Sequence, residues 1–229
     1  ACVIDPSEAK PIINFIEKNQ IKLDFILNTH HHFDHVGGNQ VLKKKYNSKV
    51  IGFEGDKDRI PKIDICLKDR EIWKHKNFEF KIFHIPGHTM GHVCFNFFKE
   101  KLLFTGDTLF SLGCGRIFEG DAEMMWSSLK KLMELPDNTI VYCSHEYTLA
   151  NANFARSVDP DNTSLAARQG AVIELRDNDL PTVPTRLDLE KATNPFLRVD
   201  NAKIRAHLGM EQASNAEVFA EIRRRKDNF

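Results

Sequence analysis

No stretch of this chain stays apolar for the ~20 residues needed to cross a bilayer, so no membrane span is expected. Neither charge is in excess, with 32 Lys and Arg against 32 Asp and Glu. Without a global positive field, neither nucleic acid nor an acidic membrane surface is an expected partner. Paired cysteines are missing too. The five (Cys2, Cys66, Cys94, Cys114, Cys143) never fall at C-x-x-C spacing. An odd, dispersed count suits reduced thiols packed in a core, and hence a cytoplasmic setting. Internal repeats and low-complexity segments are absent as well. Ala1 to Ile4 reads as a strand already under way with no initiator Met, so a preceding segment is expected.

What is present is a polar cluster at the end of an apolar run. Leu23 to Asn28 reads as a buried strand, and Thr29-His30-His31-His32-Phe33-Asp34-His35-Val36-Gly37-Gly38 follows it. Open α/β sheets build their sites at the carboxyl ends of strands. In extended chain, residues i and i+2 face the same way, so His30 and His32 can hold one metal ion while His31 points elsewhere. The following turn swings Asp34 and His35 towards a second ion. A lone histidine here would read as a solvated loop, but metal sites cluster these residue types.

The 229 residues suffice for one large domain or two modest ones. A first strand closing at Asp5-Pro6-Ser7, a helix from Lys10 to Gln20 and a strand from Lys49 to Phe53 give a β-α-β-α-β opening. The inner face of that helix is expected at Ile12, Ile13, Phe15 and Ile16. Short strands follow at Glu71–Trp73, Phe78–Ile85, His92–Phe98 and Lys101–Thr105. Asp121 opens a helix with Met125, Leu129, Leu132 and Met133 at core spacing, and Thr139–Cys143 is the last strand expected. After Glu146 no strand-like run remains. Tyr147–Arg156, Thr163–Arg176 and Ser214–Arg225 read as helices, the last with a Ser214/Glu217 capping box. The expected division is a mixed α/β domain at 1–146 and a helical appendix at 147–229.

Three further polar residues stand just after apolar strands: His88, Asp107 and His145. Singly, each reads as structural; their shared position is what singles them out. Together they complete seven donors. His30, His32 and His88 are assigned to one divalent ion, and Asp34, His35 and His145 to a second. Asp107 is assigned as the bridge, as suits ions ~3.5–4 Å apart.

The runs T-H-H-H-F-D-H-V-G-G, P-G-H-T-M-G-H, F-T-G-D-T-L-F, G-C-G-R-I-F-E-G and S-H-E-Y-T together resemble the metallo-β-lactamase superfamily. G-C-G-R-I-F-E-G and the terminal R-R-R-K-D-N-F narrow this to its hydroxyacylglutathione hydrolase branch, over nearly the whole chain. The resemblance implies an α/β fold, the αββα sandwich at 1–146, with a C-terminal α-helical substrate-binding domain at 147–229. It implies hydrolysis of S-D-lactoylglutathione to glutathione and D-lactate, the second step of methylglyoxal disposal. The family's metal ligands fall on the same seven residues, and its glutathione contacts on Arg116, Phe118, Tyr147, Arg223 and Lys226. Eukaryotic members carry Lys and Tyr where this chain has Arg116 and Phe118, and bacterial members are closer. The family also begins with two further strands ahead of the position of Ala1.

The chemistry expected is attack on the thioester by a hydroxide bridging the two metals, with Asp34 aiming it and Asp107 holding the pair. Zinc is the expected metal, and iron or manganese suits the same donors. A monomer is expected. Two other activities exist on this fold, a mononuclear iron persulfide dioxygenase and an RNA-processing nuclease. The helical appendix with its basic C-terminus opposes the first, and the zero net charge opposes the second. At the last helix, Arg223 and Lys226 lie three apart on one face and are expected to bind substrate carboxylates. Arg224 and Arg225 are expected to be solvated.

Overall fold

A computed structural model describes residues 1–76 and 78–229. β1 (Cys2–Ile4) leads into α1 (Ala9–Asn19), β2 (Phe25–Leu27), the short α2 (Phe33–Val36), α3 (Asn39–Tyr46) and β3 (Lys49–Phe53). A 3-10 turn at Glu54–Asp56 then precedes β4 (Ile65–Leu67). These strands form one parallel sheet in the order β1-β2-β3-β4, with Leu27 opposite both Ile4 and Ile51. β2 is buried throughout because both faces of the sheet are covered. Ile26 packs with Ile16, Leu42 and Val50 beneath the helices. Phe25 and Leu27 pack with Ile51, Phe80 and Phe95 towards the second sheet.

That second sheet begins as an antiparallel meander of β5 (Ile72–His75), β6 (Phe78–His84), β7 (Val93–Phe97) and β8 (Leu102–Gly106). A small hairpin of β9 (Leu109–Phe110) and β10 (Gly113–Cys114) follows, then α4 (Ala122–Met133), then β11 (Ile140–Cys143), which lies parallel to β8. The chain continues through α5 (Thr148–Val158), α6 (Thr163–Asp177), β12 (Thr185–Arg186), α7 (Leu187–Thr193), α8 (Ala202–Leu208) and α9 (Asn215–Asp227). Cys94, Leu103 and Val141 of the second sheet pack with Met125 and Leu129 of α4 and with Phe219 and Ile222 of α9. The layers are therefore helix, sheet, sheet, helix, the expected αββα sandwich. The Ser214/Glu217 capping box opens α9 as its sequence indicates.

Several local expectations need correction. Phe15 is 62% exposed, so the buried stripe of α1 is narrower than its apolar residues suggest. A strand does follow Glu146: β12 pairs antiparallel with β11 and extends the second sheet. Two residues carry no periodicity by which to be recognised. β4, with three residues, is as hard to recognise, and α7 and α8 run for only seven residues each.

The C-terminal helices grip the β9–β10 hairpin through a buried polar network. Glu190 Oε2 accepts from Leu112 N at 2.9 Å. Asn194 Nδ2 donates to Gly113 O at 3.0 Å and Phe110 O at 3.3 Å. The Arg168 guanidinium pairs with Glu190 and donates to Thr185 Oγ1 at 2.9 Å and Ser111 Oγ at 3.0 Å. Both Arg168 and Glu190 are buried, so each charge depends on its partner.

Candidate metal centre

All seven donors meet at one end of the sandwich. β2 delivers His30 and His32, and α2 supplies Asp34 and His35. The close packing of the chain at Gly37 explains that glycine, since a Cβ there would lie 2.4 Å from Ser7 O. His88 follows β6, Asp107 follows β8 and His145 follows β11. The donor atoms of His30, His32 and His88 all lie within 4.8 Å of one another, and so do those of Asp34, His35 and His145. Asp107 lies between the two groups. Its Oδ2 is 3.5 Å from His88 Nε2, and its Oδ1 is 3.4 Å from His35 Nε2 and 3.5 Å from His145 Nε2.

Neighbouring groups fix the imidazole tautomers. His88 Nδ1 donates to Arg116 O at 2.7 Å. His35 Nδ1 donates to Asp5 Oδ2 at 3.0 Å. Thr29 Oγ1 donates to Asp5 Oδ2 at 2.7 Å and so accepts from His30 Nδ1 at 3.0 Å. Each ring thereby offers Nε2 to the centre. Among the described residues, His30 Nε2 and His35 Nε2 are buried without a hydrogen-bond partner. An orphaned buried polar atom costs about 1–3 kcal/mol, so two at one place mark a site shaped for a cation.

The electrostatics agree. Burial and the surrounding imidazoles push His30 far below the usual histidine range. Burial likewise lowers His32 and His88. Neutral imidazole is the form that binds metal. Burial lowers His35 too, but the bond to Asp5 and the nearby Asp107 and Asp34 charges outweigh it, and its pKa is raised. The bond to Asp107 raises His145. Asp107 is buried, which favours its neutral form, yet its bonds to His145 and Ser144 and the His35 charge hold its pKa well below the carboxylate range.

Beside this cluster opens a cavity of about 570 Å³, lined by His32, His88, Asp107 and all five residues singled out for the substrate. The Phe118 ring lies edge-on to His32 and His88, and Tyr147 stacks on His145 at 4.9 Å. Lys226 is half-buried and donates to Ala150 O at 3.3 Å; burial lowers its pKa, with Arg223 and Arg116 adding to the effect. Arg223 is more enclosed than its sequence position suggested. Its Nη1 donates to Cys114 O at 2.8 Å, its Nη2 to Asp227 Oδ1 at 2.9 Å, and its fork lies over the Phe196 ring. Arg224 and Arg225 turn away and pair with Glu221.

Three further residues touch the donors; of these, only His92, on a strand flanking His88, is marked by its sequence position as core or as a support for the donors. Asp5, in the stretch that closes the first strand, also follows an apolar strand. His92 Nε2 accepts from Asp107 N at 3.0 Å, and its ring stacks on His30 at 4.6 Å. Ser144 Oγ donates to Asp107 Oδ1.

Comparison with known proteins agrees with the geometry. Residues 2–145 match the model of the metallo-beta-lactamase superfamily, and residues 146–229 match that of the hydroxyacylglutathione hydrolase C-terminus. A hydroxyacylglutathione hydrolase from Pelagibacter ubique (strain HTCC1062) is 51% identical over 229 residues, covering 100% of this chain and 90% of the relative. Among solved structures, the B3 metallo-beta-lactamase BLEG-1 aligns with a TM-score of 0.66 at 24% identity, over 86% of this chain and 88% of that one. TTHA1623, solved in a di-iron-bound form, aligns with a TM-score of 0.61 at 27% identity, over 85% and 88%. With its donors gathered at one end of an αββα sandwich and both family models matched in series, the chain belongs to the hydroxyacylglutathione hydrolase family of the metallo-β-lactamase superfamily.

Proposed function

We propose that the chain hydrolyses S-D-lactoylglutathione to glutathione and D-lactate, using two divalent metal ions held by its seven donors. One observation carries this reading: the donor cluster opens into a cavity whose wall also bears Arg116, Arg223 and Lys226. A glutathione thioester has two carboxylates and one ammonium, so it is a net anion with a reactive carbonyl at its other end. A cavity cationic on one side and rich in metal donors on the other suits both ends. The Pelagibacter relative is named as a hydrolase of this kind, which favours hydrolysis over the dioxygenase and nuclease alternatives.

His30, His32 and His88 would hold one ion and Asp34, His35 and His145 the other, with Asp107 between them. The orphaned Nε2 atoms of His30 and His35 support this fit. The di-iron form of TTHA1623 supports a count of two. Zinc is the proposed metal, although these N and O donors also accept iron and manganese. Such ions lower the pKa of bound water towards ~7 and polarise carbonyl oxygens.

The remaining work falls to the chain. Asp34 is 55% exposed, with Oδ2 at 3.5 Å from His145 Nε2, and accepts a hydrogen bond from the attacking water, aiming it at the carbonyl carbon. Arg116 and Lys226 hold the substrate carboxylates. Arg223, with its fork already engaged, contributes charge more than free donors. A C–O bond forms as the water's protons pass to solvent, the C–S bond breaks, and the thiolate leaves with the electron pair. A thiol is acidic enough, at pKa ≈ 8.5, that no general acid is needed.

Residues 1–146 would thus form the catalytic domain and 147–229 the substrate-binding domain that supplies Tyr147, Arg223 and Lys226. A cytoplasmic monomer completes the reading, and the five free cysteines support that compartment. The test is to incubate the purified chain with S-D-lactoylglutathione, following thiol release and bound metal together. No thiol release from metal-loaded protein would defeat the proposal.

A further inference from the structure

His31 stands within the histidine-rich loop but outside the donor clusters. Its Nδ1 lies 3.2 Å from Asp56 Oδ2, and its Nε2 lies 3.8 Å from Glu119 Oε1. Asp56 is buried, and its Oδ1 accepts from Arg59 Nε at 2.6 Å. Arg59 Nη1 reaches on to Glu119 Oε1, also at 2.6 Å. Glu119 Oε2 accepts from Met90 N at 2.6 Å. Asp56 can come this close only because residue 91 is glycine, since a Cβ there would lie 2.4 Å from Asp56 Cγ.

These contacts join segments distant in sequence: the histidine-rich loop, the turn after β3, the loop bearing His88 and the loop bearing Arg116 and Phe118. The last two are also stitched by backbone. Phe118 N donates to His88 O at 3.2 Å, and Gly120 N donates to Gly87 O at 3.1 Å. Those bonds fix one loop against the other, but neither ties the pair to the first sheet. Arg59 supplies that tie, spanning one carboxylate from each side. The Arg59–Glu119 pair, partly exposed, would be weak as a mere stabiliser. A planar guanidinium bonded to two carboxylates is instead well suited to fixing geometry.

We propose that His31, Asp56, Arg59 and Glu119 form a positioning network that sets residues 115–120 at a fixed distance from the donor cluster, and with them Arg116 and Phe118. The part that concerns substrate rests on the function proposed above.

Arg59→Ala and Arg59→Lys test it, with Lys99→Ala as a surface ion-pair control. Amide exchange and steady-state kinetics are measured on the metal-loaded chain. In Arg59→Ala, exchange at Met90, Phe118 and Gly120 should quicken about tenfold, KM for S-D-lactoylglutathione should rise about fivefold, and kcat should stay within about twofold. Bound metal should hardly move, while the melting temperature should fall by a few degrees because the buried Asp56 loses one of its partners. Arg59→Lys, which keeps the charge but not the fork, should recover part of the KM effect. Unchanged exchange would overturn the network, and so would faster exchange with an unmoved KM. If the native chain fails to hydrolyse the thioester, the function proposed above falls instead, and exchange alone decides the network.

Discussion

Asp5 Oδ2 sits 3.0 Å from His35 Nδ1 and 2.7 Å from Thr29 Oγ1, and Thr29 in turn orients His30. A single carboxylate oxygen therefore aligns one histidine of each donor group. Asp5→Ala should weaken metal binding about 10–100-fold, the usual cost of losing such a partner. Competition with a coloured chelator measures it. An unchanged affinity would show that Asp5 only shapes the turn.

Asp107 lies between the two donor groups. Asp107→Ala should reduce bound metal below two ions per chain and cut kcat by roughly a hundredfold or more. Elemental analysis alongside turnover decides the matter. Full activity of the native chain with one equivalent of metal would sink the two-ion assignment.

Acid should affect the two donor groups unequally. His30, His32 and His88 have lowered pKa values, so they are neutral at about pH 6.5 and above and bind metal there with little or no proton to displace. His35 and His145 have raised values, so they are protonated already somewhat above pH 6.5, and metal must expel those protons. Affinity at the Asp34–His35–His145 group should therefore fall first as the pH drops. Zinc titrations at about pH 8, 7 and 6 should show one site weakening ahead of the other. Parallel weakening would contradict the prediction.

The helix-end cations divide by where they point. Lys226 lines the cavity, whereas Arg224 pairs with Glu221. Lys226→Ala should raise KM about tenfold with kcat little changed, while Arg224→Ala should do much less. Equal effects would mean a diffuse electrostatic role.

Removing Glu190 leaves the buried Arg168 charge unpaired and Leu112 N without its acceptor. Glu190→Ala should cost about 3–5 kcal/mol and lower the melting temperature by roughly 10 °C. A shift of a degree or so in calorimetry would show that water reaches the network.

The sequence makes the donor set legible because each donor follows an apolar strand, and strand ends are positions that pattern alone can locate. It is less informative wherever a partner comes from far along the chain. Arg223 looks like a free cation at a helix end, and only the folded chain brings Cys114 O to its guanidinium, 109 residues away in sequence. Asp5 and His92 act on the donors through contacts that no local spacing reveals. Elements of two or three residues, such as β4 and β12, owe their existence to neighbouring strands rather than to any period of their own.

Every candidate donor comes before residue 146, while Tyr147, Arg223 and Lys226 come after it. On the function proposed above, reactivity belongs to the first stretch, while selectivity is shared between Arg116 and Phe118 there and the helices that follow, the two joined where Glu190 and Asn194 hold the β9–β10 hairpin. Such a chain can change its clientele by exchanging its tail. On that reading, a different tail that still met Leu112 and Gly113, paired with β11 and filled the core place of α9 would offer the same catalytic end to another thioester, with the proposed 146/147 junction as the seam for recombination and for directed engineering.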